Sequence, residues 1–201
     1  EFEELRGDKI KFQVRADADD HETVKIGIQE WTVKNLDVSR YRNGDIIPEV
    51  KDPKEWVELK TGAWCYFDND PKNGEIYGKL YNWYAVNDRR GLAPEGFHIP
   101  SDNEWRILAY YLGGIEDAGG KMKETGLVHW NSPNTGATNE TGWTGLPGGG
   151  RENAQFGGIK SFGPFWTSTA ISTPGYTNLA IYADLYFNNS ILDLKGFFKT
   201  S

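Results

Sequence analysis

The 201-residue sequence holds one cysteine, one methionine and three histidines. A lone Cys65 excludes an internal disulfide framework and a multi-thiolate zinc site. His21, His98 and His129 stand far apart, and no H-E-x-x-H pair is present to place two imidazoles on one helical face. No run of about 18 apolar residues occurs, so no membrane-spanning helix is expected. Blocks of like charge are missing as well: 22 Lys plus Arg are interspersed with 29 Asp plus Glu, net −7, which argues against a nucleic-acid partner. There is no G-x-S-x-G elbow for a serine nucleophile. Gly148-Gly149-Gly150 lacks the G-K-[ST] ending of a phosphate loop and reads as a turn. Paired carboxylates for glycoside cleavage leave no sequence signature, because only their separation in space matters. With no catalytic motif in view, a domain without chemistry of its own is the expectation.

What is abundant is aromatic surface, with 8 Trp, 10 Tyr and 10 Phe beside 24 Gly. Large rigid side chains suit binding surfaces and cores alike. A chain of this length buries roughly 70% of its unfolded surface, enough for one core without staples. No internal repeat or low-complexity linker divides it. Residues 1–22 are therefore read as an N-terminal strand and connection, and residues 23–201 as one domain. The first residues, Glu1 to Glu4, are too acidic for a signal peptide, so an export signal is expected to have been removed.

Period-two alternation predicts strands at Ile10, Phe12, Val14 and Ala16, and again at Val24, Ile26 and Ile28. Residues 37–62 carry turn signals, including Asp52-Pro53, and read as irregular loop. Helical spacing of Tyr77, Leu80, Tyr81, Tyr84 and Ala85 predicts one helix from Tyr77 to Asp88. A second helix starts at a capping box, Ser101 with Glu104, buries Trp105, Leu108, Ala109 and Leu112, and stops at Gly113-Gly114. Residues 119–163 form a long Gly-, Asn- and Thr-rich loop region. The tail returns to strand pattern: Phe165 to Thr169, then Leu179, Ile181, Ala183, Leu185 and Phe187 alternating. Asn188-Asn189 turns that run into Ile191 to Leu194, and a closing strand lies near Phe197-Phe198. Strands, two helices, loops and strands in that order predict an α+β fold with antiparallel sheets.

Several motifs together resemble a known family. They are Thr23-Val24-Lys25-Ile26-Gly27 with Gln29 and Trp31, Gly62-Ala63-Trp64-Cys65-Tyr66, Tyr77-Gly78-Lys79-Leu80-Tyr81-Asn82-Trp83, Gly96-Phe97-His98-Ile99-Pro100-Ser101, Leu146-Pro147-Gly148-Gly149 with Arg151, and Phe165-Trp166-Thr167-Ser168-Thr169. Over residues 23–201 the chain resembles the Fibrobacter succinogenes major paralogous domain, found in exported bacterial proteins. The resemblance implies a C-type lectin-like fold, two helices packed on short antiparallel sheets with a long loop region. It also implies an extracytoplasmic location, at the cell surface or secreted, with lipid anchoring through a removed N-terminus and roles such as adhesion. The family's terminal Gly-Phe-Ser-Val-Arg-Cys strand is reduced here to Gly196-Phe197, so no role of that Arg or Cys carries over. Formylglycine-generating enzymes share the fold and use a pair of cysteines, which Cys65 alone does not supply. Lectins of this fold hold sugars through calcium with a Glu-Pro-Asn or Gln-Pro-Asp tripeptide, for which Ser132-Pro133-Asn134 lacks the carboxylate.

The candidate ligand-binding residues in the loop region are Trp130, Asn131, Asn134, Asn139, Trp143 and Arg151, a mixture of rings, amides and a guanidinium suited to a glycan or a cell-surface protein. The alternative is that the two Trp pin the loops to the core. Tyr182, Asp184 and Tyr186 alternate on the strand face opposite Leu185 and are expected to face solvent beside the loops. Asp68, Asp70, Asn73 and Glu75 offer hard oxygens for calcium, although Asp and Asn also make turns unaided. His98 is expected to satisfy backbone groups at the helix start, and Cys65 to be a buried thiol. The expected function is a recognition module, with a structural spacer of a surface assembly as the alternative.

Overall fold

The computed structural model describes residues 21–152 and 154–200. The strand expected at Ile10 to Ala16 lies outside them. The fold is α+β, built from short helices and antiparallel sheets. Strands β1 (Thr23–Ile26) and β2 (Gln29–Thr32) form a hairpin in which Ile26 pairs with Gln29. Its two-residue turn needs a left-handed first residue, and Gly27 at φ 62° supplies it. Ile28 therefore sits on the turn, 89% exposed, and does not continue the face of Val24 and Ile26 as its spacing predicted.

The stretch expected to be irregular contains helix α1 (Pro53–Glu58). Asp52 accepts from the backbone N–H of Lys54 and Glu55, Pro53 fills the first helical position, and Trp56 drives the helix into the core. The single helix expected from Tyr77 to Asp88 is three elements instead. Helix α2 (Pro71–Tyr77) ends at Gly78, whose φ of 72° lies outside helical space. Strand β4 (Leu80–Tyr81) follows and pairs with β3 (Trp64–Cys65), and helix α3 (Trp83–Val86) then starts on the side chain of Asn82. A Cβ at Gly78 would meet the Leu36 carbonyl at 2.7 Å, so the break is also a close approach. Asn82 is fully buried, accepting from Ala63 and Ala85 and donating to the Thr61 carbonyl.

Helix α4 (Asp102–Tyr111) has the expected capping box and buries Trp105, Leu108 and Ala109. Gly113 and Gly114 end it, but α5 (Ile115–Met122) follows at once where the sequence pattern indicated loop. Two glycines inside α5 lower its helix propensity. Packing explains them: a Cβ on Gly119 would lie 2.4 Å from the Ile191 carbonyl oxygen, and one on Gly120 2.5 Å from that of Gly136. The hairpin β5 (Gly150–Glu152) and β6 (Gln155–Gly157) leads into a three-stranded sheet in the order β7 (Phe162–Ala170), β8 (Leu179–Tyr186) and β9 (Leu192–Phe198). The two short segments expected at the C-terminus are one strand, β9. Ala183, Leu185 and Leu192 bury the inner sheet face against α4, α5 and the rings of Trp31, Trp105, Trp130 and Trp143. The Trp31 and Trp105 rings meet at a tilt with centroids 4.8 Å apart, and Trp143 meets Phe165 at the same distance. Among the described residues no helix is long and apolar enough to cross a membrane.

Between α5 and β5 the chain has no ladder of its own, so its backbone groups must find partners elsewhere. Lys123 supplies them. Its buried ammonium donates to the carbonyls of Thr135, Tyr186 and Asn189 at 2.8–2.9 Å, tying the loop region to the β8–β9 turn. Lys123→Met keeps the stem but orphans three carbonyls. We expect it to lower unfolding free energy by about 3 kcal/mol, measured by urea denaturation; a loss within ~0.5 kcal/mol would show that the tie is dispensable.

Candidate functional site

The loop residues expected to bind a ligand are instead spent on holding the loops. Trp130 is 1% exposed and its Nε1–H donates to the Gly145 carbonyl at 3.0 Å. Trp143 is buried edge-on to Trp105 and Phe165. Arg151, 3% exposed, lies between the rings of Trp56 and Phe156 and donates to the Val50 and Lys51 carbonyls. The Asn134 amide donates to the Glu124 and Gly126 carbonyls, and Asn139 exchanges hydrogen bonds with Thr144. Asn131 is the one of the six that is exposed, and its amide reaches only Ser161. The physical reason is common to all: an irregular segment in a compact domain is ordered by side chains that satisfy its backbone.

The acidic turn is also structural in form. Asp68 takes a left-handed φ of 53° in a 3-10 turn, Asp70 caps α2 by accepting from Lys72, Asn73 donates to the Phe67 carbonyl, and Glu75 points into solvent on α2. Among the described residues no three His, Cys, Asp or Glu stand together as a metal would require. Burial pushes the Cys65 thiol up to about 11, with Arg151 opposing, which leaves it protonated at neutral pH. At the start of α4, His98 meets the Glu104 carboxylate at 2.7 Å and not backbone groups, as had been expected.

The concave surface lies on the outer face of the β7–β9 sheet, in a cleft of about 1340 Å³. Register places Pro164, Asp184 and Asp193 side by side across the three strands, with Trp166, Tyr182 and Lys195 in the next row and Phe162 opposite Tyr186 on the other flank. The cleft is bordered by β2, by the Phe97–Pro100 approach to α4, and by the β5–β6 hairpin. The rings form two groups. Tyr182 contacts Trp166 at 6.0 Å and Phe197 at 5.4 Å, while Phe162 and Tyr186 lie 6.0 Å apart. Trp166 is fixed by donation from Nε1–H to the Tyr81 carbonyl.

Asp184 lies between these groups, and its expected exposure to solvent is overturned: it is 0% exposed. Neither carboxylate oxygen has a hydrogen-bond partner among the described residues. Pro164, its neighbour on β7, has no N–H or polar side chain to offer. Lys195 is held by Asp193 at 2.6 Å and lies over the Tyr186 ring at 4.8 Å. Burial pushes Asp184 up to about 6; the Tyr186 hydroxyl, Lys195 and the backbone N–H of Leu185 pull the other way, and Asp193 adds to the rise. The Tyr186 hydroxyl is near enough for that influence but falls short of hydrogen-bond geometry with Asp184. Tyr182 and Tyr186 are raised too, chiefly by burial. A buried carboxylate with unmet acceptors costs stability unless something supplies donors. Period-two alternation was enough to put Tyr182, Asp184 and Tyr186 on one face, but nothing in it reveals the walls that turn that face into a cleft.

Residues 24–193 match the family model described as Fibrobacter succinogenes major domain. No curated protein and no solved structure matches the chain.

Asp184 binds its proton more tightly folded than unfolded, about 6 against 3.8. Its cost is therefore fully present above pH 6 and is relieved as pH falls towards 3.8. Asp184→Asn is expected to stabilise the domain by about 2 kcal/mol at pH 8, with the gain vanishing near pH 4. Paired denaturation curves across that range check it; a pH-independent difference would mean the carboxylate is not desolvated.

Proposed function

From the chain's membership of the Fibrobacter succinogenes major domain family, we propose that it is a non-catalytic, extracytoplasmic recognition module with a C-type lectin-like fold that takes a glycan in the cleft over β7–β9. The observation that carries this reading is the concave sheet face, where the half-buried rings of Trp166, Tyr182 and Tyr186 lie over the buried Asp184 carboxylate, whose oxygens have no hydrogen-bond partner among the described residues. Rings that stack and acceptors that await donors are what a polyhydroxylated ligand requires. A protein partner is less suited to so deep a surface, since protein interfaces depend on broad complementary contact. The site thus moves from the 119–163 loops to the sheet face beside them. Location on an exported protein rests on the family resemblance.

A glycan array with wild type, Tyr182→Ala and Tyr186→Ala tests the reading. Each ring is expected to contribute about tenfold in affinity, with both variants folded. Trp130→Ala, by contrast, is expected to lose about 3 kcal/mol of stability while the folded fraction keeps its affinity. Binding unchanged by both tyrosine variants would place the site elsewhere, and a blank array would favour a structural spacer.

A further inference from the structure

Asp184 also says something about the chemistry of the ligand, an inference that rests on the cleft being a glycan site. Neutral hydroxyls would satisfy its oxygens, but they would leave a desolvated negative charge uncompensated. Lys195 compensates only in part, because its ammonium is held by Asp193 on the same strand. The arrangement also has length. Tyr182 and Tyr186 are four residues apart on one strand face, about 13 Å, with Asp184 midway between them. Two aromatic platforms separated by a carboxylate suit an extended ligand with a ring on each platform and a positive charge between. A lysine side chain needs only one narrow slot.

We infer that the cleft recognises an amino sugar within an oligosaccharide, its protonated primary amine donating to the Asp184 carboxylate. The carboxylate is 0% exposed, so the half-buried rings of Tyr182 and Tyr186 beside it must turn aside when the ligand binds. The ammonium replaces the hydrogen bonds and the counter-charge that the fold withholds, and stacking on the two platforms sets the register of the sugar chain.

Calorimetric titration of the whole chain distinguishes the cases, using an oligosaccharide of β-1,4-linked glucosamine, its fully N-acetylated counterpart, a neutral gluco-oligosaccharide and a lysine-containing peptide. Wild type is expected to bind the free-amine oligomer about tenfold more tightly or better than the acetylated one. Asp184→Asn is expected to abolish that preference, the two oligomers then binding within about twofold of each other. Because this variant should be more stable than wild type, loss of folding does not confound it. Equal binding of free and acetylated oligomers by wild type overturns the inference and leaves the glycan reading standing. Binding of the peptide alone, sensitive to Asp184→Asn, overturns the amino sugar and the glycan together. Failure of all four ligands to bind overturns the amino-sugar inference and leaves the glycan reading to the array.

Discussion

The ammonium of Lys123 is the point on which the irregular half of the structure hangs. It lies at the end of α5 and gathers three carbonyls from three places: Thr135 in the loop region, Tyr186 at the end of β8, and Asn189 in the turn before β9. Burial pushes it down to about 8, and the three donated hydrogen bonds are what keep a charged group tolerable there. The Trp130 ring stands beside it, the ammonium 5.3 Å from its centroid. Around this tie the loop backbone finds its remaining partners: Gly120 donates to Ser190, Thr135 to Phe187, Thr138 to Gly120 and Glu124 to Gly145. A region with almost no ladder thereby becomes a fixed wall, and the sheet edge it meets is held in register with α5.

The Asp184 cleft depends on packing on the other face of the sheet. The inner face of β8 is committed to the core through Ala183 and Leu185. The strand cannot slip by one residue without turning Asp184 into the core and expelling Leu185 from it, because the side-chain period is two. The carboxylate is therefore held in place by packing on the far side of the sheet. A fold that can satisfy Asn82 with donors and acceptors on every side, and Lys123 with three carbonyls, leaves Asp184 with none among the described residues. Unmet polar groups of this kind are where natural proteins trade stability for function.

The legible parts of the sequence were those governed by local rules. The capping box at Ser101 and Glu104, the apolar face of α4 and the alternation along β8 each depend on neighbours within a few residues, and each is present as expected. The errors came where a distant group decides the outcome. Helical spacing from Tyr77 onward failed because Gly78 must pass close to Leu36. Helix α5 was hidden because Gly119 and Gly120, poor helix formers, are selected for bare contact with Ile191 and Gly136. Helix α1 has a local signal that is ambiguous, since Asp52-Pro53 is both a turn signal and a cap followed by a first-turn proline. Lys123 carried no signal, for a lysine after a helix is ordinarily a solvated one.

By itself the sequence determined family membership, the α+β class and the two faces of β8, because these follow from motif spacing and from a side-chain period that is intrinsic to the backbone. Only the tertiary structure decided which aromatic and polar groups remain available. Trp130, Trp143 and Arg151 read as a ligand surface until their partners were in place, and Asp184 read as a solvated strand residue until the walls rose around it. Exposure is a property of what packs against a side chain, and for these residues the packing comes from segments far away in the chain. No local pattern can carry that information.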